Sequence, residues 1–219
     1  MVPLTWCGVG GVDKAIGLSV TSPLNTLDPG ALELAAAAAQ LFDEWVPLDA
    51  QQLQLRNEYR SFVEEAGAAS ARREGGPQHL TASAFVFNDD LTHVLLCFHK
   101  KGQFWVQVGG HTEPGDADLA GSALREAQEE SGIDALELLS QFPSDLNRHD
   151  LASAFGACKR HWDVGFIFRA PKDAQIVVSN ESEDVQWWPT DGLPAATPTD
   201  FPSRVAFAVT AARRAVSHG

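Results

Sequence analysis

Several features that define other classes of protein are scarce or missing in this chain of 219 residues. Its three cysteines, Cys7, Cys97 and Cys158, are odd in number and unevenly spaced, which favours a reducing cytoplasm over a disulfide framework. The chain has no C-x-x-C pair, which argues against a structural zinc site. No apolar run is long enough to span a membrane, and the first twenty residues lack the continuous apolar segment of a secretion signal. We therefore expect a cytoplasmic protein.

Positive charge is also scarce, because 16 Lys and Arg residues stand against 29 Asp and Glu residues and the formal net charge is −13. A protein that coats nucleic acid needs a basic surface to meet the phosphates, so the composition argues against nucleic acid as a partner. It argues more weakly against an anionic membrane. The hydrophobic content of 44% is enough for the core of one domain with an extension. These limits are typical of a soluble enzyme that acts on a small molecule.

The most informative segment runs from residue 109 to residue 133 and reads GGHTEPGDADLAGSALREAQEESGI. The spacing of its apolar residues predicts a helix from Asp118 to Ser131, and Gly132 stands where a helix ends in a left-handed residue. Near the end of this helix, the pattern R-E-x-x-E-E-x-G places three glutamates on one face. They are Glu126, Glu129 and Glu130.

These three glutamates repel one another, and they lie at the end of the helix where the dipole disfavours anions. Each like-charge pair costs roughly 0.2–0.5 kcal/mol, and the dipole adds roughly 0.3–1 kcal/mol. Such a local conflict is typical of a functional site. A hard divalent cation held by carboxylate oxygens would relieve the repulsion and would also meet substrate phosphates. The motif therefore predicts a site for a hard divalent cation, and the alternative is a solvated acidic helix end.

The segment resembles the Nudix box, G-x5-E-x7-R-E-U-x-E-E-x-G-U, in which U is a bulky aliphatic residue. The matching residues are Gly110, Arg125, Glu126, Glu129, Glu130, Gly132 and Ile133. In this chain Asp116 replaces the first glutamate, Ala127 replaces the aliphatic residue, and eight residues separate Asp116 from Arg125. The resemblance is closest to a bacterial subgroup whose box begins with GGH and carries this one-residue expansion. It extends from about His79 to Pro194.

The resemblance implies an α+β fold, namely an α/β/α sandwich with a mixed β-sheet, and a divalent-metal-dependent hydrolase. Such an enzyme cleaves a phosphoanhydride bond in a nucleoside diphosphate linked to another group, as in a nucleotide sugar, ADP-ribose or a related nucleotide. Glu126, Glu129 and Glu130 would hold Mg²⁺ or Mn²⁺ with the carbonyl of Gly110. Glu129 is the candidate base for the attacking water. Arg125 would orient a box carboxylate, with direct contact to the substrate as the alternative.

Two other functions share this fold. Isopentenyl-diphosphate isomerase uses a cysteine in an N-x-C-x-S-H-P-type segment, and this chain lacks that segment. A Nudix module that senses a nucleotide ligand without catalysis commonly loses box glutamates, whereas all three metal-turn glutamates are present here. We therefore predict a hydrolase, and the sensor is the alternative.

Six further residues are candidates for substrate binding. They are His99, Lys101, Trp105, His111, His161 and Asp163. The basic turn at residues 99–101 faces the active site in relatives and would hold phosphates, and Trp105 would stack on a base. His111 follows the glycine pair, while His161 and Asp163 alternate with Trp162 and so share one face of a strand. The alternative for each is a structural role in a turn, a loop or the core.

The chain is predicted to divide near Gly75 into two parts. Residues 1–76 form a helical extension, whose first 28 or so residues carry few periodic signals and are expected to be flexible. Residues 77–219 form the catalytic domain. The extension would pack on this domain, and capping of the substrate or formation of a homodimer are the alternatives. Helices are predicted at 29–45, 49–69 and 202–216, strands at 81–88, 93–99, 103–108, 136–142, 161–169 and 185–188, and a helical turn at 189–193.

Overall fold

The computed structural model describes residues 27–151, 157–177 and 184–218. The expected flexibility of the first 28 residues therefore falls almost wholly outside the described residues. The helices are α1 (Gly30–Glu44), α2 (Ala50–Ala66), α3 (Leu119–Ser131) and α4 (Phe201–His218), with short 3₁₀ helices at Gly67–Ala71 and Arg73–Gly75. The strands are β1 (Gln78–Phe87), β2 (His93–His99), β3 (Phe104–Val106), β4 (Val108–His111), β5 (Glu137–Leu138), β6 (Asp145–Asp150), β7 (Arg160–Arg169) and β8 (Val185–Pro189).

These strands form one mixed sheet around a long central pair. Strands β1 and β7 run parallel over their whole lengths, from the pair Gln78 and Arg160 to the pair Phe87 and Arg169. The free edge of β1 takes β4 and β2, and the free edge of β7 takes β6 and β5, all antiparallel. Strands β3 and β8 extend the sheet beyond β2. Both faces of the central pair are therefore available to helices.

Helices cover both faces of this sheet, as side-chain alternation along β1 predicts. Leu80 and Val86 belong to a core shared with α1, α2 and α3, whereas Phe85 and Phe87 belong to a second core that includes Phe201 of α4. Successive strand residues point to opposite faces, so one strand serves both cores. The result is the predicted α/β/α sandwich with a mixed sheet.

The N-terminal helices pack directly on this sheet. Tyr59 of α2 is fully buried and donates a hydrogen bond to the carbonyl of Asp163 at 2.8 Å. Phe62 of the same helix stacks on Trp162, with 4.4 Å between the ring centroids. A single hydrophobic core thus contains residues from both sides of the boundary that the sequence suggests. The division near residue 76 stays a prediction.

Two local predictions were wrong, and one strand was missed. The strand predicted at 136–142 is limited to Glu137–Leu138, and the turn at 190–192 is not helical. Strand β6 was missed because its sequence, DLNRHD, is polar and its position is set by pairing with β7. The glycine pair lies within β4. Among the described residues, no helix is long and apolar enough to cross a membrane.

Candidate active site

Helix α3 begins one residue after the predicted start at Asp118 and ends at Ser131, as predicted. At its start, the side chain of Asp118 accepts a hydrogen bond from the backbone N–H of Gly121 at 2.7 Å. At its end, Gly132 adopts a left-handed conformation with φ of 68° and donates to the carbonyl of Gln128. Ala127 is fully buried against the sheet, which explains a small residue at a position where the Nudix box has a bulky one. The helix is therefore fixed at both ends and along one face.

Strand β4 brings the glycine pair against two of the three glutamates. A Cβ atom at Gly110 would lie 2.5 Å from Oε1 and 2.7 Å from Oε2 of Glu126, so a side chain here would displace that carboxylate. The backbone N–H of Gly109 donates to Oε2 of Glu130 at 3.2 Å. Glu129 is different, because its side chain is 60% exposed compared with 16% for Glu126. One carboxylate therefore faces solvent while two contact the strand.

Arg125 links the parts of this site. Its Nη1 atom donates to Glu126 Oε1 at 3.0 Å and to Glu129 Oε2 at 3.1 Å. Its Nε atom donates to Asp116 Oδ1 at 3.0 Å, and its Nη2 atom donates to the carbonyl of His111 at 2.9 Å. The guanidinium therefore relieves part of the glutamate repulsion that the sequence implies. The orienting role of Arg125 stays a prediction.

Two of the carboxyl groups beside Arg125, those of Asp116 and Glu126, have pKa values that are shifted in opposite directions. Burial opposes ionisation of Asp116, but its hydrogen bonds with Arg125 and with the backbone of Glu113 hold its pKa below the usual value. Burial raises the pKa of Glu126, and the nearby charge of Arg125 only partly offsets this effect. Acidic groups with perturbed pKa values gathered at one surface are typical of functional sites.

The oxygen atoms of this site fit a hard divalent cation. Among the described contacts, Arg125 bonds one oxygen of Glu126 and one of Glu129, so the second oxygen of each carboxylate can serve as a ligand. Magnesium prefers a few carboxylate or carbonyl oxygens together with water and substrate phosphates. Glu130 and the carbonyl of Gly110 lie at the same place, since both glycines contact glutamates.

Three of the candidate substrate-binding residues lie on the β2–β3 hairpin. His99 accepts a hydrogen bond at Nδ1 from the N–H of Gly102 at 3.1 Å, and Lys101 is exposed in the turn. Trp105 packs against Trp188, with 5.5 Å between the ring centroids. The hairpin therefore presents two exposed lysines, Lys100 and Lys101, while the histidine and the tryptophan contact neighbouring residues.

Asp163 lies in a buried polar network on the α4 side of the sheet. Its carboxylate accepts hydrogen bonds from Thr81 at 3.0 Å and from Ser83 at 2.8 Å. Gln107 donates to the same carboxylate at 3.1 Å, and Arg204 of α4 donates at 3.3 Å. In the described structure, these contacts connect α4 to the sheet.

His111 and His161 are brought together, but with two residues that the sequence analysis did not select. His79 and Cys158 complete a compact group with them. Burial, with smaller contributions from neighbouring histidines, lowers the pKa of His111 to about 4 and of His161 to about 3. The group is assembled by strand register, so spacing along the sequence does not reveal it.

Comparison with known proteins identifies the same family as the box motif. The sequence profile of the NUDIX domain matches residues 77–208. Two relatives are each called bis(5'-nucleosyl)-tetraphosphatase [asymmetrical]. The protein from Sus scrofa is 51% identical over 64 residues, which are 28% of this chain and 43% of that protein. The protein from Rattus norvegicus is 33% identical over 106 residues, which are 47% of this chain and 67% of that protein. The chain thus spans less than half of the porcine relative.

The fold has also been compared with solved structures. The E. coli dihydroneopterin triphosphate pyrophosphohydrolase is 20% identical, with a TM-score of 0.49, and the match covers 60% of this chain and 95% of that protein.

Proposed function

The chain belongs to the NUDIX domain family of pyrophosphohydrolases, and from this premise we propose that it hydrolyses a phosphoanhydride bond in a nucleoside diphosphate linked to another group. The observation that carries the proposal is the arrangement of the box glutamates. Glu126 and Glu130 lie against the glycine pair, and Arg125 connects Glu126 to the exposed Glu129. A sensor that does not catalyse has no need of an intact, solvent-facing carboxylate at this place.

Each box residue has a proposed role. Glu126, Glu129, Glu130 and the carbonyl of Gly110 would hold Mg²⁺ or Mn²⁺, which when bound neutralises charge on the phosphate oxygens. Glu129 accepts the proton of the attacking water, because its carboxylate is the one that is largely exposed. Arg125 keeps that carboxylate in place through the bond at Nη1. The products are a nucleoside monophosphate and a phosphorylated remainder.

The group attached to the nucleoside diphosphate is a sugar, the terminal ribose of ADP-ribose, or a second nucleotide. We include dinucleoside polyphosphates because two relatives carry the name of a bis(5'-nucleosyl)-tetraphosphatase. We also assign the chain to the bacterial subgroup with an expanded GGH box, because the extra residue falls in the loop before α3 and leaves the glutamate spacing unchanged. His99, Lys101 and Trp105 are the proposed contacts to phosphate and base.

A substrate panel tests the proposal. The full chain is incubated with nucleotide sugars, ADP-ribose, dinucleoside polyphosphates and nucleoside triphosphates, with and without Mg²⁺ or Mn²⁺, and the products are identified by mass. In water enriched in ¹⁸O, hydrolysis places the heavy oxygen on a phosphate product, which identifies the phosphorus that water attacks. We expect turnover of at least one compound only when the metal is added. Binding of a nucleotide by calorimetry, with no product from any compound, would identify a sensor instead.

A further inference from the structure

A second group of potential metal ligands lies on the opposite face of the sheet from the box helix. It contains His79, His111, Cys158 and His161, and their potential ligand atoms all lie within 4.8 Å of one another. We propose that these residues form a structural zinc site with three imidazole ligands and one thiolate ligand. The proposal is separate from the box and does not depend on the proposed hydrolase activity.

Strand register brings the three histidines together. His79 on β1 and His161 on β7 are direct partners in the parallel pair. His111 on β4 is the partner of Thr81, which lies two positions along β1 from His79. Residues two apart on a strand share a face, so the three imidazoles project from the same side of neighbouring strands. Their ring centroids are separated by 5.0, 5.1 and 5.1 Å.

The cysteine is also held in place by the backbone. Cys158 immediately precedes β7, and its side chain is buried. The N–H groups of Lys159 and Arg160 both donate to the carbonyl of Pro77, at 2.8 and 3.2 Å. These bonds fix the segment before β7 beside the start of β1. The thiol therefore joins the three imidazoles in one compact group.

Three polar atoms in this group lack a protein partner. The Nε2 atoms of His79, His111 and His161 are buried and accept or donate no hydrogen bond among the described residues. A buried polar group without a partner destabilises a fold, so three at one point call for a physical explanation. The Nδ1 atom of His79 lies 3.3 Å from the carbonyl of Gly76. A histidine that donates from Nδ1 to a backbone carbonyl presents the lone pair of Nε2, as metal-bound histidines commonly do.

The donor set selects zinc over the cation proposed for the box. Imidazole and thiolate are preferred by Zn²⁺, whereas Mg²⁺ prefers oxygen. In a tetrahedral zinc site with Zn–N of about 2.0–2.1 Å, neighbouring ligand nitrogens lie about 3.4 Å apart, so small side-chain movements would close this group around the ion. Four protein ligands leave no open position for water. The site is therefore structural and not catalytic.

His111 connects this group to the box. Its ring belongs to the imidazole group, while its carbonyl accepts the hydrogen bond from Nη2 of Arg125 at 2.9 Å. Bound zinc would fix the end of β4 to β1 and β7 and so hold Gly110 beside Glu126. His111 is thus a positioning residue for the box. Through His111, a zinc ion on one face of the sheet would support the carboxylate site on the other face.

Metal analysis of the full chain tests the proposal. The protein is expressed in zinc-containing medium, purified without a metal-affinity column, and analysed by mass spectrometry for bound metals. We expect about one zinc ion per chain. Apo protein titrated with Co²⁺ should develop the visible absorption of tetrahedral cobalt and a thiolate charge-transfer band. Protein that contains no zinc and binds neither Zn²⁺ nor Co²⁺ in titration would overturn the proposal.

Variants identify the ligands. Cys158→Ser and His161→Gln should lose most of the bound zinc, and Cys158→Ser should also lose the charge-transfer band. His149→Gln is the matched control, because His149 lies 5.5 Å from the ring of His161 but is outside the ligand group. It should retain zinc fully, as should Glu129→Gln in the box. Equal zinc content in wild type, Cys158→Ser and His161→Gln would contradict the assignment. If these variants do not fold, the Co²⁺ titration of wild-type protein decides.

Discussion

The molecule contains two groups of potential metal ligands that differ in almost every physical respect. The box offers carboxylate oxygens from a single helix, and one of them, in Glu129, is largely exposed. The second group offers three imidazoles and a thiol from three separate segments, in a buried or half-buried setting. His111 connects the two groups, because its ring belongs to the second group while its carbonyl accepts a hydrogen bond from Arg125 of the box. On the two proposals together, a structural zinc ion that exchanges slowly would position the residues that hold a rapidly exchanging catalytic cation.

The largest expected effect is the loss of turnover when a chelator removes the cation of the box but leaves the zinc in place. Brief treatment with excess EDTA should reduce turnover to background, because oxygen ligands exchange Mg²⁺ quickly, and added Mg²⁺ alone should restore it. The zinc content measured on the same samples should not change during this treatment. The melting temperature should rise only modestly with Mg²⁺, because Arg125 already offsets part of the glutamate repulsion. Full activity in excess EDTA would contradict the assignment of a metal to the box.

The next prediction tests the exposed carboxylate. Glu129→Gln removes a charge at the end of α3 and should not destabilise the metal-free protein, but it should reduce turnover by roughly 10²-fold or more. Glu113→Gln is the control, since its side chain is equally exposed and lies 4.0 Å from Arg125. That variant should lose far less activity. Unfolding of Glu129→Gln, or turnover at the wild-type rate, would mean that this carboxylate is structural.

The same contrast explains how much could be predicted from the sequence. Helix α3 and its end at Gly132 follow from local spacing, so the residues of the box could be identified directly. The second group depends on the register of β1 with β7 and of β1 with β4. No local pattern encodes that register, and the absence of a C-x-x-C pair argued against zinc. His79 was missed for this reason, as was strand β6.

Substitutions at the two glycines should separate an effect on stability from an effect on turnover. At Gly110, a Cβ atom would meet the flexible carboxylate of Glu126, so Gly110→Ala should change stability little but reduce turnover about 10-fold or more through displacement of that group. At Gly109, φ is 152° and a Cβ atom would lie 2.6 Å from the Cα atom of Ser83. Gly109→Ala should therefore lower the free energy of unfolding by roughly 1–3 kcal/mol.

Thermal unfolding and turnover, measured on the same preparations, distinguish these two outcomes. Equal losses of stability in the Gly109 and Gly110 variants would show that both glycines serve the fold alone. Zinc content should be retained in Gly110→Ala, because the ring of His111 lies on the other side of the strand from Glu126.

The smallest expected effect concerns the caps of two helices that carry different parts of the molecule. Asp118 caps α3 at 2.7 Å and Asp49 caps α2 at 2.8 Å, with the same geometry. Asp118→Ala and Asp49→Ala should each lower the free energy of unfolding by about 0.5–2 kcal/mol. Only the first should also reduce turnover, by a few-fold, because the start of α3 follows Asp116 and its contact with Arg125. Neither should change the zinc content, since the imidazole–thiol group has no residue on a helix. Loss of zinc in Asp118→Ala would mean that the box helix supports both metal sites, and the two groups would then have to be treated as one.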